Sequence, residues 1–285
     1  MTGRRGRPLA RLRHGAAPYG GPGPGELQAL AAELVDASSD APMVLHAWRA
    51  DDRHAALALA LERQVLGEAS ADALEWQRRA LAPYDHATVL ACVVDQRRLQ
   101  PAGMLRLILP SARGLRALRA AEAVWGVSSA SLFGGSGLVH DPARTFDIAT
   151  VAVAADYRRS PALQGTITMA LLQAASVLGA SGGLARALAV FDVSTLRMLQ
   201  WKFQRPFTLF AGIAARPYLG SPACLPVWAD LADWHARLAT RDPVLHGVMA
   251  LGRGLEPVVR PPDWAAAAAL VREVSALADL RLHLR

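Results

Sequence analysis

The stretch DIATVAVAADYRRSPALQGTITMALLQAA, Asp147 to Ala175, joins an alternating β-branched run to a long amphipathic run. The loop between them holds two adjacent arginines, Arg158 and Arg159, one proline and one glycine. A strand feeding a helix presents backbone N–H groups without internal partners at the helix's positive end, and these attract a phosphate. The same pattern also describes a βα unit that only packs. The twin arginines argue that whatever docks there is anionic. FGGSG at Phe133 to Gly137 reads as a phosphate nest, a lid or a plain flexible loop, since it neither follows a clear strand nor opens a helix. None of the eight histidines falls in an HExxH or a His-plus-Cys spacing, so zinc is not expected, and His46 and His140 read as structural histidines before they read as groups reaching the cleft.

The 285 residues are 52% hydrophobic and 19% charged, enough for a sizeable core in one large domain or two small ones, which excludes disorder of the whole chain. The net charge of +7 comes almost wholly from arginine, Lys202 being the only lysine. Genome bias and an anionic partner both account for that excess. Cys92 and Cys224 sit in apolar surroundings, which suits small buried hydrophobes in a reducing cytoplasm. No uninterrupted apolar segment reaches the length of a bilayer span. Residues 1–25 carry arginines without an apolar h-region and read as a disordered basic arm rather than a secretory signal; a nucleic-acid role for that arm is the minor alternative.

The elements that must position these residues follow from periodicity. ELQALAAELVDA reads as a helix and MVLHAWRA as a strand. Asp51 and Asp52 can cap the helix RHAALALALERQVL, and Ser70 can cap ADALEWQRRALA. HATVLACVVD and PAGMLRLILP form a hairpin across QRRLQ, SARGLRALRAAEAVWG a helix, and VSSASLFGGSGLVHDPART a loop. FDIATVAVA, ARALAVFDV and PFTLFAGIA are expected strands, with PALQGTITMALLQAASVLGA and STLRMLQWKF as helices between them. LPVWADLADWHARLAT, PVLHGVMALG and DWAAAAALVREVSALADLRL are all expected to be helical. Such an order is α/β, a mixed sheet with helices packed against it. The expected division is a core over 26–216 and a helical C-terminal extension, 217–285, packed on it.

From about Met43 to Ala215 this order resembles the GNAT acyltransferase superfamily. VAVAADYRRS…LQGTITMALLQAA is similar to its strand 4 and helix 3, with Val153, Asp156, Tyr157 and Arg158 at the V-x-P-x-x-R start and Leu171 with Leu172 as the leucine pair. Thr166 and Thr168 stand where the family has turn glycines, and RSPALQ lengthens the loop. The departure, the chain's size and FDIATVAV are similar to the branch making N-acyl amino acids and acyl-homoserine-lactone signals. The resemblance implies a mostly antiparallel central sheet in which strand 4 and strand 5 splay apart. It further implies an N-acyltransferase that moves an acyl group from acyl carrier protein or acyl-CoA to the amine of a small molecule such as an amino acid. The acyl thioester would be a co-substrate, with no cofactor held permanently. The altered loop suits a carrier's single phosphodiester better than the pyrophosphate of coenzyme A.

On this resemblance Asp147 is the base, directly or through water, unless it only marks an exposed strand end. The backbone N–H groups of Val151 and Val153 polarise the thioester, and Arg158, Arg159, Gln164, Gly165 and Thr166 hold the donor. Strict alternation would place Asp147, Val151 and Val153 on one face and Thr150 on the other. Ser194 is an N-cap or the acid for the leaving thiolate, and Trp201 with Phe203 are acyl-pocket wall or core. The C-terminal helices, carrying Trp228, Trp234 and Trp264, complete the core or line a long acyl chain. A degenerate domain that binds an acyl thioester or protein partner without turnover is the alternative.

Overall fold

The computed structural model describes residues 21–69, 75, 79–136 and 141–280. Most of the basic arm, Ser70, most of ADALEWQRRALA, Gly137 and His140 lie outside them. Among the described residues one sheet has the order β6-β8-β5-β4-β3-β2-β1-β9, with β7 also on β8. Its strands are β1 (Met43–Arg49), β2 (Thr88–Asp95), β3 (Gln100–Ile108), β4 (Thr145–Val153), β5 (Arg186–Asp192), β6 (Thr208–Leu209), β7 (Arg216–Tyr218), β8 (Ser221–Asp230) and β9 (Val259–Arg260). All pairs are antiparallel except β4 with β5 and β1 with β9. This is the mixed, mostly antiparallel sheet that the resemblance implied.

Helices α1 (Pro24–Glu33), α2 (Ala55–Ala69), α3 (Arg116–Ala120), α4 (Ser129–Gly135), α5 (Ala155–Arg158), α6 (Pro161–Ser181), α7 (Val193–Lys202), α8 (Leu231–Arg241), α9 (Pro243–Met249) and α10 (Trp264–Leu280) flank it. Alternation along β3 puts Gly103 and Arg106 on opposite faces. On the Gly103 face lies α6, so close that a Cβ at Gly103 would stand 2.4 Å from Ile167 Cγ2, and one at Gly179 would stand 2.7 Å from Phe146 Cε1. Two glycines thus let the longest helix lie directly on the strands. On the Arg106 face lies α2, held by Glu62: Nε and Nη2 of Arg106 reach its two carboxylate oxygens at 3.1 and 2.6 Å, while Nη1 reaches Asp85 at 3.1 Å. The fork satisfies charges that burial would otherwise penalise heavily.

Three sequence expectations change. LPVWAD is the end of strand β8, paired with β5 from Arg186↔Asp230 to Asp192↔Cys224, so residues beyond 216 complete the sheet as well as adding helices. Ser128 caps a helix, α4, inside the segment read as loop, and Phe133 of the FGGSG run is buried edge-on against Phe210. Helix α6 is long and apolar enough to cross a membrane, yet most of it is buried against the sheet and its neighbours. Its apolar character on every side is that of a core helix.

Candidate active site

Strands β4 and β5 pair over four positions only, Thr145↔Arg186 to Ile148↔Ala189. Beyond them β4 follows β3 as far as Val153, while β5 follows β8 as far as Asp192. The two ends therefore part. Ala154 N donates to Ala102 O at 2.9 Å, which makes that pair hydrogen-bonded. Antiparallel alternation then turns the N–H groups of Val153 and Val151 away from β3, toward the gap. This is the splay that the resemblance implied, with the two expected amides directed into it.

The parting begins at a bulge. Leu107 pairs with Ile148 and Arg106 with Thr150, so Ala149 is an extra residue in β4. The bulge shifts the alternation by one. Asp147, opposite Ile108, shares the Arg106 face with Thr150, whereas Val151 and Val153, opposite Leu105 and Gly103, share the α6 face. The expected grouping of Asp147 with Val151 and Val153, and of Thr150 with Ile148, is thereby corrected.

Asp147 is not an exposed strand end; it is 1% exposed. Its Oδ2 accepts the Ala117 N–H at 2.6 Å, at the first turn of α3. Burial pushes its pKa up to about 6, against the opposing pull of Arg116 and the Ala117 amide. A carboxylate of that pKa can accept a proton near neutral pH.

Arg116, whose charge acts on Asp147, is 5% exposed, with its guanidinium 5.7 Å from the Tyr218 ring centroid. Nη1 reaches the carbonyl of the bulged Ala149 at 3.4 Å. The outer side of this group forms the wall of a cavity of about 370 Å³ with Arg79, Tyr84, Arg113, Arg119 and Tyr218. Burial raises the pKa of both tyrosines, Tyr218 to about 12, so they face the cavity as neutral hydroxyls. Asp147 itself does not line the cavity, whereas Arg116, whose charge acts on it, does.

The donor loop is arranged differently from its sequence reading. Helix α6 starts at Pro161, which has no N–H; Ser160 Oγ accepts from Leu163 N at 3.5 Å, and Gln164 N donates to Ser160 O at 2.9 Å. Gly165 and Thr166 lie inside the helix, where N–H groups bond to carbonyls one turn back. Only the Ala162 N–H of the first turn remains for a ligand. Arg158 pairs with Glu68 and Arg159 with Asp156. A cation that the sequence reading missed stands here: Lys202 Nζ is 3.6 Å from where a Cβ on Gly165 would be.

Ser194 is not the N-cap of α7. Asp192 is, accepting from Ser194 N at 2.8 Å and from the Ser194 hydroxyl, and also from the Ser221 hydroxyl. Those bonds hold its pKa down to about 2. Ser194 remains exposed in the first turn of α7, just past the end of β5. Trp201 and Phe203 cannot form one pocket wall: Trp201 is 81% exposed, and Phe203 is 1% exposed in the main core. Two residues apart near a helix end, they point to opposite sides.

No protein-family model matches the chain, and neither does any curated protein sequence. Among solved structures it is similar to a CoA-dependent acyl-homoserine lactone synthase, BjaI, with SAM and isopentyl-CoA, at 18% identity over 80% of this chain and 99% of that one, TM-score 0.44. It is also similar to FeeM, an N-acyl amino acid synthase from uncultured soil microbes, at 12% identity over 68% and 93%, TM-score 0.45. The AHL synthase LasI matches at 12% identity over 66% and 90%, TM-score 0.46.

Proposed function

We propose that the chain is a GNAT-like N-acyltransferase that moves an acyl group from a phosphopantetheine thioester to the amine of a small molecule. The observation that carries this reading is the parting of β4 and β5 beside the buried Asp147 and the arginine-walled cavity. The arm of the donor lies in the gap, where the N–H groups of Val151 and Val153 polarise the thioester carbonyl. The acceptor enters from the α3 face through the cavity. Its amine attacks the carbonyl carbon, the C–S bond breaks, and the thiolate leaves. Asp147 receives the amine proton through a water, because its buried carboxylate does not line the cavity. The thiolate can leave unprotonated, and Ser194, exposed in the first turn of α7 with its hydroxyl on Asp192, is the candidate to donate a proton to it.

Lys202, with the single amide of Ala162, supports one phosphate better than a pyrophosphate, which favours an acyl carrier protein as donor. The test is thiol release from acyl-carrier protein and acyl-CoA in the presence of an amine panel, for the wild type and Asp147→Asn. Release that depends on the amine and falls about 10²- to 10⁴-fold in the variant supports the reading. Release with neither donor sinks it.

The ion-paired Arg158 and Arg159 and the helix-bonded amides of Gly165 and Thr166 favour a second reading, a domain that binds an acyl thioester without turnover. Donor binding without release, unchanged in Asp147→Asn, would select it.

A further inference from the structure

We propose that the cavity walled by Arg116 is a dianion site, and that the acceptor it admits is an amine bearing two negative charges, as a dicarboxylate or a phosphomonoester. The acceptor assignment rests on the acyl-transfer reading; the dianion site does not. Nε and Nη2 of Arg116 are buried and have no hydrogen-bond partner in the protein. Buried guanidinium nitrogens are ordinarily bonded, and leaving them unpaired is unfavourable. These two atoms form one edge of the planar fork, the edge that takes carboxylate or phosphate oxygens in pairs. Arg106 uses that same edge on Glu62. At Arg116, a residue that lines the cavity, the edge is unpaired and closed to solvent, so an anion pairs with it once the side chain turns toward the cavity.

Charge decides between one negative group and two. Among the described residues the wall contains Arg79, Arg113, Arg116 and Arg119 and no acidic side chain. Glu75 pairs with Arg79, which leaves three arginines for the ligand. Asp147, whose charge acts on Arg116, offsets one of them. Two positive charges therefore remain for the ligand to match. A monocarboxylate amine would satisfy the Arg116 edge and leave the rim pair Arg113 and Arg119 without a counter-charge; a dianion answers both. The Arg116 contact to the bulged Ala149 puts the anion beside the point where β4 and β5 separate.

The test has a binding arm and a turnover arm. In the first, calorimetry on the full chain compares inorganic phosphate, glutarate and acetate, for the wild type, Arg116→Gln, and the double variant Arg113→Gln with Arg119→Gln. Phosphate or glutarate should bind at least about tenfold more tightly than acetate, and Arg116→Gln should remove at least about tenfold of that affinity. Which dianion wins separates the phosphate source from the dicarboxylate. Acetate binding as tightly as both dianions, or Arg116→Gln leaving their affinity unchanged, overturns the site. Should Arg116→Gln fail to fold, the double variant decides, because both its side chains are exposed. It should narrow the dianion-over-acetate ratio, and an unchanged ratio overturns the site. In the turnover arm, thiol release is compared for glutamate against glutamine and for O-phosphoserine against serine. Preference for the charged member of a pair supports the acceptor assignment, and equal rates overturn it while acyl transfer stands. Dianion binding with no release from any amine ends the acyl-transfer reading and leaves the dianion site intact.

Discussion

Asp147→Asn is the most informative single substitution, because it sets catalysis against stability. Burial raises the carboxyl pKa from 3.8 to about 6, although the Ala117 N–H and Arg116 both pull it down. The folded protein therefore holds a proton on Asp147 more tightly than the unfolded chain does. Stability is unaffected by this group below pH 4, falls as pH rises toward 6, and is lower by its full amount above about 7. A shift of about two pKa units corresponds to about 3 kcal/mol. The asparagine keeps an oxygen for the Ala117 amide and carries no charge, so it removes the penalty. Urea unfolding followed by tryptophan fluorescence, from pH 4.5 to 8, should find the variant more stable at pH 8 by up to about 3 kcal/mol. The difference should shrink steadily as the pH is lowered. The gain is expected alongside the loss of activity, the pattern of a site that keeps an unfavourable charge for its chemistry. A variant less stable than the wild type, by an amount that does not change with pH, would refute the reasoning. It would mean that the helix cap and Arg116 outweigh desolvation and that Asp147 is a structural anion.

Four further substitutions test the framework. Glu62→Gln breaks the buried fork on Arg106 and should lower stability by about 3 to 5 kcal/mol, read as a shift of the denaturation midpoint. Gly179→Ala drives a methyl group into Phe146 and should lower stability by about 1 to 3 kcal/mol; an unchanged melting temperature would deny the close α6 packing. Phe203→Ala should cost about 3 to 5 kcal/mol, whereas Trp201→Ala should stay within about 0.5 kcal/mol and leave acyl-chain preference alone. A changed chain-length profile in the Trp201 variant would return that residue to the acyl pocket.

Elements with a clean period were legible in the sequence: the β2–β3 hairpin, β4, α6 and β5 all lie where their patterns predict them. Strand β8 was not, because Pro226 interrupts its pattern and LADWHARLAT continues it as a strong helix. The structure accommodates the proline where β8 has no partner on its outer side, between the β7 contact at Cys224 and the β6 contacts at Val227 and Trp228. The bulge at Ala149 left no signal, since DIATVAV alternates without a glycine, and the face assignments of Val151 and Thr150 inverted with it. Arg113, Arg116 and Arg119 recur every three residues, as SARGLRALR displays, and Arg116 with Arg119 share a side of α3 while Arg113 lies in the turn before it. Their meaning depends on what that side covers, and this is a tertiary fact. Trp201 and Phe203 misled because an aromatic residue near a helix end reads the same in sequence whether it is exposed or buried.

The separation of β4 from β5 also divides the sheet mechanically. Strands β9, β1, β2, β3 and β4 form one plate and β5, β8, β6 and β7 another, and the strand pairing between the plates is a seam of four residue pairs. The β1–β2, β2–β3, β3–β4 and β5–β8 ladders are longer, so between the two plates the seam is where the sheet yields first to thermal motion. The amides of Val151 and Val153 border it without a strand partner, and they should exchange with solvent faster than their neighbours in β4. A molecule seated in the wedge would bridge the two plates, slow that exchange and stiffen the whole sheet from its centre.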